Sequence, residues 1–87
     1  MNVSQALEEF IIRDLMVADG DVSLSPDASL IESGIVDSLG ILRLVAFIEE
    51  NFSVVVDDID VIPENFDTIN AMNSLVERKR RQSSPSD

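Results

Sequence analysis

The sequence predicts an all-α fold: a small four-helix bundle, three main helices and one short one, with a long first loop. Three observations predict it. Apolar residues recur at helical spacing in three separate segments. The run with strand propensity, Val54-Val55-Val56, has no second run to pair with. A chain of 87 residues, 45% of them hydrophobic, suffices for one small core and no more.

The first segment, SQALEEFIIRDLMV over residues 4–17, sets Leu7, Phe10, Ile11 and Leu15 at helical spacing, with Ser4 as N-cap and Asp19-Gly20 as the stop. Residues 19–36 hold two of the three glycines and the first proline among Ser and Asp, which predicts a long loop anchored by Leu24, Leu30, Ile31 and Ile35. A loop of that length inside a small domain is often functional. The second helix is predicted over 38–51. At roughly 100° per residue, Ile41, Leu44, Val45, Ile48 and Phe52 form one arc. Leu39, Leu42 and Ala46 fall opposite, together with Arg43 and Glu50. An apolar strip on the outer side, rimmed by acids, reads as a docking surface; a helix buried on both sides is the alternative. Residues 53–62 are predicted as an extended link into a short helix around 57–61, ended by Pro63. Ile69, Met72, Leu75 and Val76 define the last helix over 67–79, with Asp67 as its cap. The domain is expected over residues 1–80, and a disordered tail over 81–87.

Composition excludes much chemistry. There is no cysteine, hence no disulfide, thiolate ligand or thiol nucleophile, and no histidine, hence no Ser-His arrangement. The net charge is −11. Residues 1–77 carry 16 acids against Arg13 and Arg43 alone, a balance of −14, whereas Arg78, Lys79, Arg80 and Arg81 make the last ten residues basic. Such a body repels nucleic acid and anionic lipid and attracts basic protein surfaces. The short basic run reads as a helix end fraying into a solvated tail. No run approaches membrane-spanning length and no leader is evident at the N-terminus, so the expected location is the cytoplasm and the expected state a monomer.

Two site chemistries fail on spacing. Asp57, Asp58, Asp60 and Glu64 lack the positions an EF-hand loop needs, as do Asp19-Gly20-Asp21, so no metal site is expected. A nucleophile elbow, G-x-S-x-G, is half met around Ser38 by Gly40, but lacks a preceding strand and a histidine. Ser38 stands at the predicted start of the second helix, where free N–H groups and the helix dipole favour an anion. Local physics leaves two roles open: a phosphate-bearing hydroxyl, or a cap supplied by Asp37 or Ser38 and worth about 1 kcal/mol.

The stretch GIVDSLGILRLVAFIEENF resembles the attachment region of acyl carrier proteins. The triplet Asp37-Ser38-Leu39 matches their signature; the preceding SLIESGIV, the IEENF end and the later PENFDTINAMNSLVERK extend the resemblance over roughly residues 4–79. It implies an acyl-carrier-like bundle, non-catalytic itself, with 4'-phosphopantetheine on Ser38. A phosphopantetheinyl transferase would install the arm from coenzyme A with magnesium, and the arm's thiol would hold an acyl or aminoacyl thioester. The resemblance also implies partner roles. Asp37 caps the helix and helps bind magnesium in the transferase complex. Leu39 and Leu42 insert into partner surfaces, a core role for Leu42 being the alternative, and Glu49 and Glu50 meet basic partner residues. Many fatty-acid carriers have acids where this chain has Gly40 and Arg43, so a specialised stand-alone carrier is expected. Its partners would be an acyl- or aminoacyl-loading ligase and a downstream synthase or transferase. Aminoacyl and peptidyl carriers often have a glycine-rich approach to the serine; Ile35-Val36-Asp37 is not one, which favours acyl cargo. The other reading is an unmodified acidic interaction module of the same fold.

Overall fold

The computed structural model describes residues 2–16 and 24–82, and for Gln82 the backbone alone. Its elements are α1 (Val3–Phe10), continued by a π turn over Ile11–Leu15, α2 (Ser38–Phe52), a 3-10 turn at Asp58–Asp60, α3 (Pro63–Phe66) and α4 (Ile69–Gln82). The expected all-α bundle is therefore observed, with no strand among the described residues. The predicted stop at Asp19-Gly20 and the tail beyond Gln82 lie outside the described residues.

Helix α1 starts one residue before the predicted cap. Asn2, not Ser4, is the N-cap: its Oδ1 accepts from Gln5 N–H at 2.8 Å, and Gln5 Oε1 accepts from Asn2 N–H at 3.2 Å. This reciprocal pair satisfies two donors at once, which a serine inside the first turn cannot do. Val3, Leu7 and Ile11, four residues apart, are buried on its inner face. The helix then widens, Met16 N–H bonding back five residues to the Ile11 carbonyl at 2.8 Å.

The described part of the loop, residues 24–36, is tied down along its length. Leu30 is fully buried, and Leu24, Ile31 and Ile35 pack against the core as anchors. Gly34 takes a positive φ of 81°, a turn only glycine enters without strain. Much of the loop's anchorage is Asp67. Its Oδ1 accepts from Ser29 Oγ at 2.6 Å and from Ile31 N–H at 3.2 Å, and its carbonyl accepts from Leu30 N–H at 2.7 Å. The predicted role of Asp67 as cap of α4 is thereby corrected. Thr68 caps that helix, its Oγ1 accepting from Ala71 N–H at 2.9 Å. Asp67→Ala leaves two partly buried donors unpaired and is expected to cost roughly 2–3 kcal/mol. Asp67→Asn keeps an acceptor and should recover part of that. Urea denaturation of the two variants beside the wild type measures both.

Residues 54–56 alternate like a strand, Val54 and Val56 buried and Val55 exposed. No strand pairs with them; instead Glu49 Oε2 accepts from Val56 N–H at 2.9 Å. The expected short helix at 57–61 is a 3-10 turn, and Pro63 opens a helix where it was expected to close one. Its fixed φ suits the first position of α3, where no N–H is needed. The one-turn α3 buries Phe66 completely.

The basic run does not fray into a tail within the described residues. It continues α4 to Gln82, and Lys79 is 6% exposed. Its Nζ lies 2.9 Å from Asp57 Oδ2 and 2.5 Å from Asp60 Oδ2, fastening the 3-10 turn to α4. The hydrogen bond from Lys79 holds the Asp60 carboxyl below its ordinary 3.8, and the bonds to Asp60 and then Asp57 raise Lys79 above its ordinary 10.5. The signs follow. The Asp60 contribution to stability is complete above 3.8 and is lost as pH falls through the lowered folded value. The Lys79 contribution is complete below 10.5 and is lost as pH rises through the raised one. The Tm gap between wild type and Lys79→Met is therefore expected to stay constant in the neutral range. It should narrow below pH 3.8 and above pH 10.5, as a thermal melt series across pH would read.

Candidate functional site

Helix α2 begins at Ser38 because Asp37 supplies the cap. The Asp37 backbone is extended, its Oδ1 accepts from Gly40 N–H at 2.8 Å, and its carbonyl accepts from Ile41 N–H at 2.9 Å. The buried neighbour Val36, whose N–H bonds to the Leu30 carbonyl at 3.0 Å, fixes the approach. Capping therefore falls to Asp37, and Ser38 is released from it. Ser38 is exposed at the first helical position, and its hydroxyl makes no hydrogen bond among the described residues. Nearby loop hydroxyls are engaged: Ser33 Oγ donates to the Leu30 carbonyl and Ser29 Oγ to Asp67.

The two faces of α2 separate as the spacing predicts. Leu44 and Ile48 are fully buried, with Ile41, Val45 and Phe52 packed against the core. Leu39 and Leu42 are 65% and 61% exposed. Ala46, Arg43 and Glu50 are exposed as well. The core alternative for Leu42 is thus settled by its exposure. Glu49 differs from its neighbour: it is half-buried, and one carboxylate oxygen is occupied by Val56 N–H. Arg43 Nη1 donates to the Asp14 carbonyl at 3.3 Å, joining α2 to the π turn. Nothing in the local pattern signalled that bond, since its partners are 29 residues apart. Among the described residues no group of three or more acids is placed to hold a metal ion.

A free, exposed hydroxyl at the head of a rigid helix, with an apolar strip running away from it, belongs to a protein that presents an attached group to others. The sequence model of the phosphopantetheine attachment site family matches residues 5–76, and the chain belongs to that family. No curated protein sequence matches the chain. The protein is thus a carrier of 4'-phosphopantetheine, in a class that interacts with partner enzymes and is not itself catalytic. The residues fit the group. The chain has no sulfur nucleophile of its own, and Ser38 offers an unengaged oxygen where an added phosphate displaces no cap. When bound, the group supplies a thiol. The chain's own share is to hold Ser38 outward and to keep the α2 face rigid beneath it. No helix among the described residues is long and apolar enough to cross a membrane.

Proposed function

We propose that Ser38 carries the 4'-phosphopantetheine arm and that the protein is a stand-alone acyl carrier, delivering thioester-bound acyl groups to partner enzymes. The observation that carries this reading is the free, exposed Ser38 hydroxyl heading α2, with Asp37 taking over the cap. Asp37, Leu39, Leu42, Arg43, Glu49 and Glu50 form the partner face, with Leu39 and Leu42 as its exposed apolar centre. The partners are a phosphopantetheinyl transferase, a loading ligase and a downstream synthase or transferase, met by a cytoplasmic monomer. The absence of a glycine-rich approach at Ile35-Val36-Asp37 supports acyl over aminoacyl cargo.

The test is intact mass after incubation with coenzyme A, magnesium and a broad-specificity phosphopantetheinyl transferase. A gain of one phosphopantetheine is expected on the wild type. A folded sample that gains nothing with several transferases would return Ser38 to a structural role and leave an unmodified interaction module. Parallel loading with acyl and aminoacyl substrates by matching ligases then separates the two cargo classes.

A further inference from the structure

We propose that Arg43 is a positioning residue for the phosphodiester at Ser38, steadying the arm over a groove between α2 and the π turn. The inference rests on Ser38 bearing the arm. The groove has a volume of about 240 Å³ and is lined by Leu15, Ile35, Asp37, Leu39, Gly40 and Arg43. It thus reaches both chain neighbours of Ser38.

Three features single out Arg43. First, it makes no ion pair with any described residue, in a chain whose first 77 residues hold 16 acids. The other cation of that region, Arg13, pairs with Glu9 at 3.6 Å. Second, its guanidinium is anchored without being neutralised. One nitrogen donates to the Asp14 carbonyl, which fixes the group at the groove and leaves other donors of the fork free for a phosphate oxygen. Third, Arg43 follows Ser38 by five residues, about 7.5 Å along the helix, and long helical side chains lean back toward the N-terminus. The guanidinium is thus carried back toward the first turn of α2.

Gly40 supports the same reading. A Cβ there would sit 3.5 Å from Asp37 Oδ1 and from Val36 Cγ1, ordinary contact distances, so packing does not demand glycine. Its φ is not in the left-handed region either. Glycine weakens a helix interior relative to alanine. What it does give is a shallow floor to the groove beside Ser38. An anionic linkage on a chain of net charge −11 gains from a cation at this point more than from the surrounding carboxylates.

The experiment compares ¹⁵N-labelled apo and phosphopantetheine-bearing protein by NMR, for the wild type and Arg43→Gln. Modification of the wild type is expected to shift the Arg43 Nε–H signal and the amides of Gly34, Ile35 and Gly40. In Arg43→Gln the shifts at Gly34, Ile35 and Gly40 are expected to be lost, while those of Ser38 and Leu39 persist. Wild-type shifts confined to residues 37–39, or unchanged shifts in Arg43→Gln, would overturn the proposal. Inorganic phosphate added to apo protein is expected to leave these signals in place. Equal shifts from phosphate alone would mark an anion site independent of the arm and overturn the positioning role. If Ser38 were not the attachment residue, intact mass would show no Ser38-modified sample, which separates that failure from this one.

Discussion

Ser38→Ala is expected to fold like the wild type and to gain no mass at all in the transferase reaction. The two halves of that result have separate physical causes. The Ser38 side chain is exposed and makes no hydrogen bond among the described residues, so its removal breaks nothing. Asp37 keeps its bond to Gly40 N–H, and alanine is a better helix former than serine, so stability should change by no more than about 0.5 kcal/mol. The loss of loading, by contrast, is complete, because the receiving oxygen is gone and the serines at 29 and 33 have their hydroxyls engaged in the loop. Circular dichroism melts beside intact mass read both halves. A variant that unfolds would make the hydroxyl structural; a variant that still gains the group would place the attachment elsewhere.

Phe66→Ala is expected to cost about 3–5 kcal/mol, the range for emptying a buried aromatic site. Small domains are stable by only about 5–15 kcal/mol in total, so this one change removes a large share. The reason lies in the shortness of α3. One helical turn cannot sustain itself by propensity, and the burial of its single Phe holds it in place. Ile59, 83% exposed in the neighbouring 3-10 turn, provides the contrast: Ile59→Ala should stay within about 0.5 kcal/mol. Denaturant midpoints for the two variants, at unchanged m-value, test the difference. Comparable losses at both sites would contradict the core described above.

The parts of this fold legible in the sequence are those with long periodic runs. Helix α2 could be placed with both its faces because its 15 residues give the apolar pattern several turns in which to repeat. The ends of elements were harder, for a reason visible at Asp67. Asp67 and Thr68 are both good caps, and what assigns the role is Asp67's engagement by Ser29, 38 residues earlier. Asn2 was passed over for Ser4 because Gln5 at the matching spacing was not weighed as the second half of a capping box. The burial of Lys79 could not be read locally at all. Within its own run it is one of four adjacent basic residues, and only the fold brings Asp57 and Asp60 to it. The candidate site followed a different route. Helix-end physics left Ser38 undecided between cap and attachment point, the family resemblance favoured attachment, and the structure assigns the cap to Asp37.

The π turn at the end of α1 makes that helix sensitive to its own length. A turn closed over five residues stores one more residue than an α-helical turn needs. A chain shorter by one residue between Ile11 and Leu15 could close the same turn in α geometry, rotating everything beyond it by roughly 100°. The Asp14 carbonyl would swing away from Arg43, and Leu15 would leave the wall it shares with Gly40. Single-residue insertions and deletions in the first helix would therefore be felt at the head of the second. In this protein the spacing of α1 tunes the ground on which Ser38 stands.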